Sequence, residues 1–197
     1  MDIQHIDTQL LLLVNQGMAN TLFDILMPAL SQEGYLLVIP FILALPLWAA
    51  RSKDAAGRYP FSYILGAVLI SCCAVVLGLY AEHALKTAIG RVRPCSALEG
   101  IRQIISCPRS FSMPSGHGIS SFAFSVPLFH LMRRSVPRAW QPYPLVLASL
   151  VACSRIYLGV HYPTDVLAGA AVGASIGLSL SLLFKRAVDR LFWLQKS

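Results

Sequence analysis

The stretch FSYILGAVLISCCAVVLGLYAEHAL, residues 61–85, carries no charged side chain across residues 61–81. A helix crosses the hydrocarbon core of a bilayer in about 20 residues. Inside that core no water can satisfy backbone N–H and C=O groups, so a segment that lies there must bond them within itself, as a helix does. Working outward, apolar stretches of similar character occupy residues 34–50, 118–132, 143–160 and 164–184. The stretch at 34–50 is shorter and holds Pro40 and Pro46, which predict a kink. Ser120, Ser121 and Ser125 dilute the one at 118–132. The pattern predicts an all-α integral-membrane helical bundle with five transmembrane helices. Ahead of it, Ile3, Ile6, Leu10, Leu13 and Val14 follow helical spacing, while Asn15, Gln16, Gly17 and Asn20 interrupt any continuous apolar run. Residues 1–33 are therefore expected to form an amphipathic interfacial helical segment, a sixth span being the alternative, and residues 34–197 a single membrane domain.

Composition agrees. Only 13% of the 197 residues are charged and 56% are hydrophobic, whereas a soluble domain is about 25% charged. The formal net charge of +7 does not indicate nucleic acid, because the basic residues fall in short clusters between apolar runs. Arg51, Lys53 and Arg58, then Arg133, Arg134 and Arg138, then Lys185, Arg186, Arg190 and Lys196 all land on one side, which the positive-inside rule makes cytoplasmic together with the C-terminus. The N-terminus lacks a basic leader, so no cleaved signal peptide is expected. The opposite face nevertheless collects Lys86, Arg91, Arg93, Arg102, Arg109 and Arg155. Cations against the rule call for an anionic ligand.

Three short motifs lie on that face. In KTAIGRVRP, Lys86 and Arg93 are seven residues apart, near two helical turns, and share a helix face if the helix persists to Pro94. Two cations so placed suit a phosphate; taken alone, they could equally snorkel to headgroups. Pro114-Ser115-Gly116-His117 reads as a helix start, with Ser115 as N-cap, Gly116 allowing close backbone approach, and free N–H groups in the first turn ready for an anion. A lone His there is commonly just a backbone partner; beside a phosphate it becomes a proton donor. In Ser154-Arg155-x5-His161-x3-Asp165, the carboxylate stands one helical step from the imidazole. It can accept Nδ1–H and leave Nε2 free to attack, or simply stabilise a helix dipole.

In order and spacing, these motifs resemble the three-part signature of the type-2 phosphatidic acid phosphatase superfamily, over residues 86–165. The resemblance implies that His161 is a nucleophile forming a phosphohistidine, that Asp165 orients it, and that His117 protonates the leaving group. It implies that Lys86, Arg93, Ser115, Gly116 and Arg155 hold the phosphoryl oxygens. The activity so implied is removal of phosphate from a membrane lipid phosphate or diphosphate. A short chain with compact loops and no Asn-x-Ser/Thr sequon suggests a bacterial inner membrane, and undecaprenyl diphosphate as substrate. Phosphatidylglycerophosphate, phosphatidic acid and lipid A phosphate are alternatives, as is phosphoryl transfer from a polyprenyl diphosphate. A related haloperoxidase activity fits poorly with five apolar spans, and a channel would spread its charges through the spans.

No metal or other cofactor is expected, because the only acids on this face are Glu82, Glu99 and Asp165. Glu82 reads as the i, i+4 partner of Lys86. The expected partners are the lipid substrate and membrane lipids, with no nucleic acid and no obligate protein. Cys72, Cys73 and Cys153 fall in apolar spans, whereas Cys95 and Cys107 bracket an outer loop and are expected to form a disulfide.

Overall fold

The computed structural model describes residues 2–33, 37–51, 61–132 and 136–194, and among them every regular element is helical. Helix α1 (Ile3–Leu12) is capped by Asp2, whose carboxylate accepts Gln4 N–H, and runs on through a π-helical turn, Leu13–Gly17. Helix α2 (Thr21–Glu33) follows at a bend of 118°. Next come α3 (Val38–Arg51), α4 (Phe61–Ile89), the single turn α5 (Pro94–Ala97), α6 (Gly116–Met132), α7 (Tyr143–Tyr157) and α8 (Pro163–Leu194).

Helices α4 and α8, of 29 and 32 residues, reach about 44 and 48 Å at 1.5 Å per residue. Both are long and apolar enough to cross a membrane, and the bent α1–α2 pair counts as a third candidate if it acts as one broken span. Helices α6 and α7, of 17 and 15 residues, are shorter than the roughly 20 residues of a full span, so helix length alone does not yield the expected five. Leu65, Leu69, Val76, Leu77 and Leu79 on α4 and Leu167, Leu178 and Leu183 on α8 are exposed. A belt of that kind belongs against lipid, not water. Of the basic residues that orient the chain, Lys53, Arg58, Arg133, Arg134 and Lys196 lie outside the described residues, as does Gly34 at the start of the first apolar stretch.

Helix α6 is central, packed on α4, α7 and α8. Its approach to α8 is unusually close because Gly169, Gly173 and Gly177 repeat every fourth residue on the facing side of α8. A Cβ on Gly169 would overlap the carbonyl oxygen of Ser115, and one on Gly173 that of Ile119. In lipid, where apolar burial gains little, such backbone-to-backbone packing is a main source of helix association. At the end away from the motifs, Phe41, Leu45, Ile64, Leu128 and Met132 form an apolar core. There Trp48 stacks on Trp140 and Phe41 on Tyr143, the aromatic grouping typical of an interface. The clash at Gly173 is with backbone that cannot swing away. Gly173→Ala should therefore lower stability by about 1–3 kcal/mol in thermal unfolding in detergent. Gly17→Ala, where a Cβ would meet only the Leu13 side chain at 3.5 Å, should change it far less.

Candidate active site

All three motifs converge at one end of the bundle, where α4 and α7 finish and α6 and α8 begin. Helix α4 does not persist to Arg93. It stops at Ile89, and Gly90 takes the left-handed conformation (φ 64°) with its N–H on the Lys86 carbonyl, a glycine cap that terminates the helix. Lys86 and Arg93 thus do not share a continuous helix face; Arg93 approaches the site from the loop, and Pro94 opens α5.

That loop position lets Arg93, which is buried, spread its guanidinium over several acceptors. Nε donates to the Ser110 carbonyl at 2.7 Å, Nη2 to Ser110 Oγ at 3.0 Å, and Nη1 to the Val160 carbonyl at 2.9 Å. Nη1 also lies 2.9 Å from Nε2 of His161. A guanidinium has no lone pair to accept with, so Nε2 must be the acceptor and the ring proton of neutral His161 sits on Nδ1. The imidazole, 2% exposed, rides on a turn made by Gly159 (φ 72°). Its Nδ1 faces Asp165 Oδ2 at 3.6 Å, longer than a hydrogen bond, and has no partner within bonding distance.

Asp165 is fully buried in the first turn of α8, just after Pro163. Oδ1 accepts Arg91 Nη1 at 2.7 Å, while Oδ2 accepts Tyr162 N–H at 2.8 Å and the Ser112 hydroxyl. Arg155, from the last turn of α7, donates Nη1 to Ser31 Oγ of α2 and leaves Nε buried without a partner. Ser115 follows a cis Met113–Pro114 bond. Its hydroxyl accepts Gly118 N–H at 3.4 Å as the α6 cap, and its own N–H donates to the Asp165 carbonyl at 2.9 Å. Lys86 Nζ meets Glu82 Oε1 at 2.7 Å. The Glu82 carboxylate occupies the place a Cβ on Gly116 would take, so this glycine admits an anion against the α6 N-terminus. Cys95 and Cys107 are joined by a disulfide. Cys95 packs with Leu158 and Val160, Cys107 lies against the same cluster, and the bonded loop thereby props the turn that carries His161.

His117 lines a cavity of about 590 Å³ between α2, α4, α6 and α7. The cavity runs along α6 from His117 to Ser125, about 12 Å of helix, walled by Leu30, Val75, Val76, Phe124 and Val151. Several neighbours of the site are not in the sequence-derived set: Arg91, Ser110, Ser112, Ser31, Thr164 and Asp7. Arg91 was visible as one of the misplaced cations. Asp7 had a weaker signal, a lone acid within the apolar spacing of α1. Among the described residues no three His, Cys, Asp or Glu side chains converge as a metal-binding set.

A PAP2 superfamily profile matches residues 61–189. Decaprenylphosphoryl-5-phosphoribose phosphatase of Mycobacterium tuberculosis is 36% identical over 104 residues, 51% of this chain and 54% of that protein, so the match spans about half the length of this relative. A lipid A 4'-phosphatase of Bacteroides thetaiotaomicron is 27% identical over 96% of this chain and 81% of its own. An undecaprenyl-diphosphatase of Sulfolobus acidocaldarius is 28% identical over 86% and 74%. The crystal structure of Aquifex aeolicus LpxE superposes with a TM-score of 0.67 at 25% identity, covering 92% of this chain and 99% of that one.

Burial pushes the His161 imidazole down to about 4, outweighing the nearby Asp165 carboxylate, and the Arg93 charge pushes the same way. In the unfolded chain the same imidazole binds its proton below about pH 6.5. Between those values the unfolded state holds the extra proton, so this group's contribution to stability is complete above pH 6.5 and declines as pH falls toward 4. The unfolding temperature in detergent should drop more steeply across that window for the wild type than for His161→Gln.

Proposed function

The chain belongs to the PAP2 superfamily, and from that premise we propose that it is a metal-independent lipid phosphate phosphohydrolase working through a phosphohistidine on His161. The observation that carries this reading is the tautomer: the Arg93 guanidinium beside Nε2 leaves the lone pair on the nitrogen that faces the cations. Nε2 attacks phosphorus, and the bond from phosphorus to the leaving oxygen breaks. His117 delivers a proton to that oxygen. Water then attacks the phosphohistidine, giving a proton to His117 and releasing inorganic phosphate and His161. Arg93, Arg155 and Lys86, with the Gly116 backbone, hold the phosphoryl oxygens and offset charge developing on them. Ser115 contributes chiefly by capping α6 and so fixing those N–H groups. Asp165 steadies the imidazolium that forms as Nε2 becomes bonded to phosphorus.

The protein is integral to the membrane. We place residues 1–33 at the outer interface, spans at α3, α4, α6, α7 and α8, and the site at the outer, periplasmic face of a bacterial inner membrane, where cations defy the usual charge bias. For substrate, undecaprenyl diphosphate is favoured. Two of the compared relatives are named for polyprenyl-linked phosphates, and the apolar cavity beside His117 offers a place for the first part of a lipid chain. The lipid A 4'-phosphatase keeps lipid A phosphate as the alternative.

Purified protein in detergent with excess EDTA should release phosphate from undecaprenyl diphosphate, and His161→Ala should lose at least about 10³-fold in kcat. Loss of activity with EDTA, or retention of it in His161→Ala, would overturn the mechanism. A second outcome concerns the leaving group. An alkoxide needs a proton more than a phosphate does, so His117→Ala should slow a lipid phosphate monoester by about 10²-fold or more and the diphosphate clearly less.

A further inference from the structure

Asp7 lies on α1, outside the matched region of residues 61–189, yet its carboxylate is 1% exposed and reaches the head of α8. Oδ1 accepts Thr164 N–H at 2.9 Å, and Oδ2 accepts the Thr164 hydroxyl and Arg91 Nη2, the latter at 2.6 Å. Arg91 Nη1, in turn, donates to Asp165 Oδ1 at 2.7 Å and to Thr164 Oγ1 at 2.7 Å. The guanidinium carbon lies over the Tyr162 ring, 4.0 Å from its centroid, and Gln4 accepts a further bond from Nη2. Asp7 and Asp165, on different helices, therefore share one cation.

The arithmetic of that arrangement matters for His161. Two carboxylates and one guanidinium sum to one negative charge. Were Arg91 committed to Asp165 alone, the pair would be neutral and Asp165 would present little field to the imidazole beside it. By sharing the Arg91 charge through Nη2, Asp7 leaves Asp165 with negative charge to spend on a cationic ring. Both carboxylates are buried and the Arg91 side chain is only 17% exposed, so solvent screens them weakly.

We infer that Asp7 is a positioning residue for His161: acting through Arg91, it sets how much negative charge Asp165 presents to the imidazole. The inference rests on the phosphohistidine reading for its catalytic meaning, but its electrostatic content can be read without turnover. The charged groups facing His161 are Arg93 from the loop after α4, Arg155 from α7 and Asp165 from α8. Those facing Asp165 are Arg91, His161 and, by charge, Arg93. Beyond Arg93 and Arg155, the next ionisable groups are Glu82 and Lys86 of α4 and His117 of α6. None of these contacts Asp7.

The sign of the effect separates an electrostatic role from a structural one. Asp7→Asn removes a negative charge and should lower the titration midpoint of His161. Arg91→Gln removes a positive charge and should raise it. Each shift is expected at about half a pH unit or more, smaller than the one to three units of a directly contacting charge. The readout is the histidine Cε1 NMR signal of labelled protein in micelles, assigned by its loss in His161→Gln. With phosphate release as the second readout, Asp7→Asn should lose about tenfold in kcat, the scale on which outer partners of a site act, with KM nearly unchanged. Asp7→Glu, which keeps the charge, should recover part of it. Opposite shifts in the two variants support the inference; unchanged midpoints, or shifts of the same sign, overturn it. If Asp7→Asn does not fold, Arg91→Gln decides alone, since no rise in its midpoint refutes the coupling. A wild type that releases no phosphate would sink the catalytic reading while leaving the titration result to stand or fall by itself.

Discussion

A carboxylate at the head of a membrane helix cannot be left without donors. Removing a charge from water costs several kcal/mol even after local relaxation, and Asp165 has no exposed surface. Its neighbours are organised around that demand. The loop beyond α4 returns Arg91 to it, the stretch before α6 supplies the Ser112 hydroxyl, and the turn after α7 supplies Tyr162 N–H. Its backbone carbonyl also accepts Ser115 N–H at the start of α6. One residue thereby ties together every segment that carries a motif. His161 is placed as a consequence, one turn before Asp165 and within reach of Arg93.

Close packing of α6 on α8 makes the same point from the backbone side. Because Gly169 and Gly173 bring the two helices into backbone contact, the N-termini of α6 and α8 lie side by side. Ser115 and Asp165 can then bond directly, and the free N–H groups of α6 point toward the imidazole end. His117, one residue into α6, lines the cavity. The disulfide-closed loop packs against Leu158 and Val160, and the N-terminal helices reach this end through Asp7 and Asn15.

Much of this was legible in residue order. Apolar runs marked the membrane helices, and the misplaced cations marked an anion site. The spacing of Lys86, Arg93, Ser115, Gly116, His117, Arg155, His161 and Asp165 carried the resemblance to the family that the chain belongs to, because it reflects local geometry: a cap, a turn, one helical step. Other features were not legible. The stop of α4 at Gly90 was missed because Pro94 was the louder breaker. Helix α7 stops at Tyr157, short of the apolar stretch that suggested it, since hydropathy does not register where a turn begins. Ser31, Ser110, Ser112 and Thr164 are ordinary residues in sequence, and their hydroxyls matter only through what they touch.

The sequence by itself determined the membrane as solvent, the helical class of fold and the family, because each depends on residue type and short spacing. Only the tertiary structure decided which charges share partners. Asp7 lies 84 residues before Arg91 and 158 before Asp165, and nothing in local spacing links them. Their meeting depends on α1 docking against the head of α8, and burial there makes it consequential: on a wet surface the three charges would be screened, whereas here each alters what its neighbour can do.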